Sequence, residues 1–154
     1  MNTEVNLEQI RQEAEEFIRK GRLSCSESVV YTIRKNVVPE MPEELIAAST
    51  GFAGGIGGSH DACGAVTGSV ICIGYLFGRT QPNSDDPKKK KCGKLAFELQ
   101  ESFKKKYKTI NCGELTNDFK MPQSKRVPMC AGFTGEMAVK TARIIAGEFD
   151  LKLI

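Results

Sequence analysis

Four of the six cysteines fall where the sequence predicts that a helix begins. These are Cys25, Cys63, Cys112 and Cys130, whereas Cys72 and Cys92 fall inside predicted helices. A thiol in the first turn of a helix feels the positive end of the helix dipole and nearby unsatisfied N–H groups, which favour the thiolate. Because the thiolate attacks disulfides and binds metals, the four cysteines are the candidate catalytic and metal-ligating residues.

The spacing of the four cysteines leaves their chemistry open. If they converge in the fold, they could bind a metal ion or an iron–sulfur cluster, or they could form disulfides in pairs. No Cys-x-x-Cys is present, so the local signature of zinc ribbons, thioredoxin-like sites and ferredoxin loops is absent. Cys72 and Cys92 lie on apolar stripes of predicted helices and are expected to be small core residues.

Capping signals predict the helices that would position these cysteines. Asn6 caps a helix from Leu7 to about Lys20, and the capping box Ser24-Cys25-Ser26-Glu27 opens the next helix with Cys25 as its first residue. Pro42 starts a short third helix. Ser59 or Asp61 caps a helix from about Ala62 to Phe77, which is apolar on all sides and is expected to be the buried central helix.

The second half of the chain continues this pattern. Pro87 starts a long helix to about Tyr107, and Asn111 caps a short helix whose first turn holds Cys112. Pro128 is placed at the first position of the last helix, so that Cys130 falls in its opening turn. No segment shows the alternation of apolar and polar residues that would predict a strand. The chain is therefore predicted to be all-α, a compact bundle of about five or six helices forming one domain over residues 1–154.

A glycine-rich run from Gly51 to Gly58 precedes the central helix. Successive glycines before a helix can expose N–H groups to sulfur anions or to a bound anion, and they can equally form a tight turn. Gly57 and Gly58 are therefore candidate cofactor-binding residues. Gly64 is a third, because with Gly68 it leaves a groove for a ligand or, more simply, for close packing of another backbone. The run matches neither dinucleotide-binding nor P-loop motifs.

The bulk properties exclude several classes of protein. The net charge is only +3, and the lysine runs are interpreted as solvated helix faces, so we expect no nucleic-acid partner. The longest apolar run is far shorter than the roughly 20 residues that span a bilayer, so no membrane segment is expected. A basic region followed by an apolar stretch is missing at the N-terminus, which predicts a cytoplasmic protein. His60 is the single histidine, and a Cys–His pair alone is insufficient evidence for a Ser or Cys hydrolase, so hydrolysis is not expected.

The segment Cys63-Gly64-Ala65-Val66-Thr67-Gly68 resembles the central motif of a family named C_GCAxxG_C_C, whose members are described as redox-active. Cys25 precedes this segment, and Cys112 and Cys130 follow it, in the order of the family. The resemblance covers the chain from Gly21 to about Gly147. It implies a small helical redox domain whose four motif cysteines carry redox or metal chemistry.

The chain is also similar to the non-haem part of the split-Soret cytochromes, although it lacks their haem-attachment motifs. That similarity implies an iron–sulfur cluster and a homodimer. We therefore expect an electron-transfer protein that binds an iron–sulfur cluster or another metal and serves a redox partner that the sequence does not identify. The alternatives are a metal-free thiol–disulfide protein and a helical interaction module held together by structural zinc.

Overall fold

The computed structural model describes residues 1–154 and contains seven α-helices, which confirms the all-α prediction with one helix more than expected. The helices are α1 (Leu7–Arg19), α2 (Cys25–Asn36), α3 (Glu44–Thr50), α4 (Gly64–Phe77), α5 (Pro87–Tyr107), α6 (Cys112–Thr116) and α7 (Gln123–Glu148). Two short strands near the termini, β1 (Glu4–Val5) and β2 (Lys152–Leu153), pair in parallel. None of the helices combines the length and the apolar character that crossing a membrane requires.

Four helices begin where the capping residues Asn6, Ser24 and Asn111 and the proline Pro87 predict. The side chain of Asn6 accepts a hydrogen bond from Gln9 N at 2.9 Å at the start of α1. At the start of α2, the Ser24 N–H donates to the Glu27 carboxylate at 2.8 Å. The helices α5 and α6 begin after Asp86 and Asn111, whose side chains also accept backbone N–H groups. These starts follow from sequence because a cap joins residues only two or three positions apart.

The predicted start of α7 was wrong. The helix begins at Gln123 after Pro122, and Pro128 lies inside it rather than at its first position. The N–H groups of Lys125 and Arg126 both reach the carbonyl of Pro122, at 2.9 Å, so the helix is established before Pro128 is reached. Pro128 has no N–H group, so the second turn of α7 lacks the hydrogen bond that residue 128 would otherwise donate to the Ser124 carbonyl.

The predicted starts of α3 and α4 were early by two residues. The helix α3 begins at Glu44 instead of Pro42, and α4 begins at Gly64 with Cys63 as its N-cap, instead of at Ala62 with Ser59 or Asp61 as the cap. The glycine-rich run and the residues up to Ala62 are held by turns and by a bridge from Ala62 to Asn111, which delays the helix.

Two apolar clusters form the core, and α4 lies between them. One cluster joins α1, α2 and α7 and includes the fully buried Cys72. The other joins α4, α5 and α7 and includes Cys63, with Cys92 packed against it. The central position of α4 is as predicted, because it packs on α2, α5 and α7, but its outer face is not buried: Val70 and Tyr75 are exposed.

Candidate functional site

All four predicted site cysteines line a single pocket, which we call the cysteine pocket. Cys25, Cys63, Cys112 and Cys130 reach it from α2, the start of α4, α6 and α7. The cavity measures about 230 Å³ and has mostly hydrophobic walls, including Ile18, Leu115 and Phe133. Cys72 and Cys92 lie outside it. Four side chains that are spread over residues 25–130 therefore meet at one place.

The cysteines occupy different positions relative to their helix starts. Cys25 and Cys112 are the first residues of α2 and α6, as predicted. Cys63 is the N-cap of α4, where the N–H groups of Ala65 and Val66 point toward its sulfur. Cys130 lies beyond the first turn of α7, so the prediction that it opens a helix was wrong. The helix dipole therefore acts on three of the four sulfurs.

Two glycines allow the cysteine-bearing segments to approach each other. A Cβ on Gly64 would lie 3.1 Å from the Cβ of Cys25, and a Cβ on Gly55 would lie 2.7 Å from the Cβ of Cys112. Gly64 was a predicted site residue, and it lines the pocket. A side chain at Gly55 would force the segments of Asp61 and Cys112 to shift, and one at Gly64 would crowd Cys25.

The structure places the other predicted glycines away from the pocket. Gly57 and Gly58 are exposed and do not line it, whereas Gly54 and Gly55 do. Sequence reasoning missed Gly54 and Gly55, because nothing in the run distinguishes one glycine from the next. Only the path of the backbone decides which of them faces the sulfurs.

The glycine-rich run adopts a left-handed turn that leaves two N–H groups without an acceptor. The φ angles of residues 54–58 are all positive, between 57° and 73°. The N–H groups of residues 56–61 donate to backbone carbonyls, but those of Gly54 and Gly55 donate to no acceptor in the chain. Gly54 and Gly55 line the pocket, so these two N–H groups are the backbone donors of the run that remain available to a bound anionic atom.

Cys25 is the most acidic thiol of the pocket. The neighbouring Cys130 thiol donates toward its sulfur and, although burial opposes the shift, lowers the pKa of Cys25 to about 7. Thr134 and the N–H group of Cys25 act in the same direction. At neutral pH a large fraction of Cys25 is therefore thiolate, the nucleophilic and metal-binding form.

The other three thiols are held neutral. Burial, followed by repulsion from the Cys25 thiolate, raises the pKa of Cys63 to about 12. The same two effects raise the pKa of Cys112. The pKa of Cys130 is raised strongly, first because its thiol donates to Cys25 and then because it is buried near the other sulfurs. Without a cation, the pocket therefore favours ionisation of one thiol and disfavours ionisation of all four.

Phe119 lines the pocket and lies between the side chains of His60 and Arg126. The ring of His60 stacks on it with centroids 4.6 Å apart, and the Arg126 guanidinium lies 4.8 Å from its centroid. The backbone of residues 117–119 has positive φ throughout, although none of these residues is glycine. His60 thus contacts Phe119 and Asp118, and it is not among the residues that line the pocket.

The side chains of the protein do not form a ready site for a single metal ion. No three His, Cys, Asp or Glu side chains in the protein are close enough together to hold one metal ion. A single zinc ion requires sulfurs about 2.3 Å from a common centre, so the cysteine side chains would have to move closer together to bind one.

The comparisons with known proteins identify the family. The chain matches, over residues 23–144, the model of the family described as "Putative redox-active protein (C_GCAxxG_C_C)". No curated protein and no solved structure matches it. The matched range contains every cysteine of the pocket and most of the chain. The chain therefore belongs to the C_GCAxxG_C_C family, which carries that description.

Proposed function

We propose that the protein is an electron-transfer protein whose four pocket cysteines bind an iron–sulfur cluster. The observation that carries this proposal is that Cys25, Cys63, Cys112 and Cys130, from four different helices, line one pocket. A bound cluster would supply a one-electron carrier at the centre of the protein. The similarity to split-Soret cytochromes points to the same chemistry and stays a prediction, as does the homodimer.

The electrostatics of the pocket favour a cationic group. Cys63 and Cys130 are buried beside the Cys25 thiolate, which disfavours their ionisation. A metal centre removes that penalty, because its positive charge balances the thiolates. Binding should therefore release protons from the three thiols that are neutral in the metal-free protein, and the affinity should rise with pH.

The size of the pocket favours a cluster over zinc. The volume of about 230 Å³ exceeds by an order of magnitude the roughly 10–15 Å³ that one water requires. Since no three potential ligands suit one ion, a structural zinc module has less support than a cluster.

The other residues that line the pocket have roles that follow from their positions. The apolar side chains of Ile18, Leu115 and Phe133 exclude water, which strengthens electrostatic interactions inside the pocket. The free N–H groups of Gly54 and Gly55 can donate to anionic sulfur, which raises the reduction potential of an iron–sulfur centre.

Anaerobic purification followed by a visible spectrum and by iron, sulfide and zinc analysis tests the proposal. We expect iron and sulfide with visible absorption, lost in Cys63→Ser and retained in the matched control Cys92→Ser, which lies outside the pocket. A protein that stays colourless and free of iron after reconstitution would contradict the cluster proposal. Zinc at one equivalent would favour the structural module instead.

A metal-free dithiol is a second candidate, because Cys130 lies next to a Cys25 thiol with a pKa of about 7. In this reaction the Cys25 thiolate attacks a disulfide, and one substrate sulfur leaves as a thiolate. Cys130 then loses its proton and attacks Cys25, so that the second substrate sulfur leaves. The substrate gains two electrons, and the Cys25–Cys130 disulfide forms. Thiol counting before and after mild oxidant tests this, and unchanged free thiols would rule it out.

A further inference from the structure

The segment that joins α6 to α7 forms one wall of the cysteine pocket. Residues 114–122 contribute three lining residues, which are Leu115, Thr116 and Phe119. Every hydrogen bond that residues 114–122 make stays within residues 111–126. We call residues 114–122 the flap, because no hydrogen bond fastens them to the helices on the other side of the pocket. Segments with few bonds to the rest of a fold are those that open most readily.

Phe119 lies in the outer part of the pocket. It is 37% exposed, whereas Phe133 and Cys63, which line the same cavity, are each 5% exposed. The ring of Phe119 stacks on that of His60, with 22° between the two planes. The His60 N–H group donates to the carbonyl of Gly54 at 3.0 Å, and Gly54 lines the pocket as well. The ring stack therefore joins the flap to the glycine-rich turn on another side of the cavity.

The backbone of the flap is strained in this position. Asn117, Asp118 and Phe119 have φ angles of 52°, 52° and 60°. For a bulky residue such as Phe119 this region is unfavourable, and it persists only where surrounding contacts hold it. Arg126 supplies such contacts, because its guanidinium donates to the carbonyls of Phe119 and Met121 at 3.2 and 3.3 Å. A flap without these contacts should therefore leave its present position.

We propose that the flap is a movable gate of the cysteine pocket and that Phe119, seated between His60 and Arg126, holds it closed. When the ring of Phe119 leaves these two side chains, the flap opens and bulky molecules reach the pocket cysteines. Closure shields the sulfurs from water. Opening breaks no covalent bond and transfers no electron. The inference holds for a cluster and for a dithiol alike, because a metal group and a disulfide substrate must reach the same sulfurs.

Alkylation of Cys25 by two maleimides of different size tests the gate. N-ethylmaleimide is the small reagent and N-(1-pyrenyl)maleimide the bulky one, and peptide mass spectrometry gives the rate for each cysteine of the reduced, metal-free full chain. The variant Phe119→Ala removes the ring that holds the flap. Phe149→Ala is the matched control, because Phe149 is also exposed and stacks on Phe77, but lies outside the pocket. Labelling of the fully buried Cys72 reports unfolding of the whole protein.

Phe119→Ala should accelerate labelling of Cys25 by the pyrenyl reagent about tenfold, from the loss of an aromatic stack and a cation–π contact. Labelling by N-ethylmaleimide should change by less than about twofold, because the partly exposed Cys25 is already accessible to it. Phe149→Ala should behave as the wild type with both reagents. An equal change with both reagents would show altered thiol reactivity instead of altered access and would overturn the proposal. Equal acceleration in Phe149→Ala, or of Cys72, would overturn it too.

Hydrogen exchange distinguishes a moving flap from a fixed wall. Arg126→Gln removes the two hydrogen bonds to the flap carbonyls and retains Phe119. In this variant and in Phe119→Ala, the peptide that contains the flap should exchange faster than in the wild type, while the peptide from Thr134 to Ala146 of α7 should not change. Unchanged exchange of the flap in both variants would contradict the gate. Neither measurement requires iron, so the gate and the cluster proposal fail separately.

Discussion

Cys25 combines partial exposure with a low pKa, and no other thiol of the pocket does so. Its acidity depends chiefly on the adjacent Cys130 thiol rather than on the dipole of α2 alone. The helix-start position of Cys25 thus explains only part of its chemistry. Because Cys130 belongs to α7, the reactivity of Cys25 is a property of the packed helices.

Replacing Cys130 by alanine should raise the pKa of Cys25 from about 7 toward its ordinary value of 9.0. The variant removes the donor that stabilises the thiolate, while the burial that opposes ionisation remains. The measurement is the pH dependence of alkylation of Cys25 in reduced, metal-free protein, followed by peptide mass spectrometry. Cys92→Ala is the matched control and should leave the profile in place. An unshifted profile in Cys130→Ala would show that Cys130 is not the donor.

At the scale of elements, the glycine-rich run between α3 and α4 fixes the distance between the cysteine-bearing segments. Its left-handed turn satisfies most of its own N–H groups and leaves those of Gly54 and Gly55 free at the pocket. Glycine is required at these positions for two reasons, which are the positive φ and, at Gly55, the lack of space.

Gly55→Ala and Gly57→Ala should separate those two reasons. Both positions have positive φ, so each substitution costs about 1–2 kcal/mol of backbone strain. At Gly57 nothing lies within 4 Å of the added Cβ, whereas at Gly55 it would lie 2.5 Å from Asp61 N and 2.7 Å from the Cβ of Cys112. Urea denaturation should therefore show a larger loss for Gly55→Ala, together with weaker metal binding. Equal losses would contradict this account.

The proline inside α7 gives a second prediction at this scale. Pro128 cannot donate to the carbonyl one turn earlier, and its ring crowds that turn. Pro128→Ala should therefore increase the free energy of unfolding by about 1 kcal/mol, below the ~3 kcal/mol typical of a helix centre because the proline lies near the helix start. Thermal or urea denaturation measures the change. A less stable Pro128→Ala would contradict this account of the proline.

At the scale of the whole molecule, a charged network holds α5 against α7 beside the apolar cluster that contains Cys63. Glu136 accepts hydrogen bonds from Lys106 at 2.8 Å and from Tyr107 at 2.5 Å, and its other oxygen lies 3.1 Å from Lys140. Burial alone would raise the pKa of Glu136, but these donors outweigh it and lower the pKa to about 2. The ionised carboxylate therefore stabilises the fold.

The Glu136 network predicts a pH dependence of stability. The folded pKa lies below the ordinary value of 4.5, so the contribution is present above about pH 4.5 and is lost as the pH falls toward 2. Glu136→Gln should cost about 1–3 kcal/mol at pH 7 and flatten the stability profile between pH 5 and 2. Chemical denaturation over this range checks it. Glu98→Gln, at an exposed residue of α5, is the control, and an equal effect there would count against the network.

The amino-acid sequence by itself determined the local features of this protein. The starts of α1, α2, α5 and α6 follow from caps that join residues within one turn, and the apolar stripes follow from side chains on one helix face. The order of the four cysteines was sufficient to indicate the family, which the match over residues 23–144 confirms. The start of α7 was predicted wrongly because proline favours the first position of a helix. In this protein Pro128 lies inside the helix instead.

Only the tertiary structure decided which residues share the pocket. The convergence of Cys25, Cys63, Cys112 and Cys130 depends on how four helices pack. The same packing selects Gly54 and Gly55 over Gly57 and Gly58, and it sets the pKa of Cys25 through a thiol far away in sequence. These contacts join residues that are far apart in the chain, and no periodic pattern in the sequence predicts them. Local rules therefore identified the reactive groups, and long-range packing decided what they can do together.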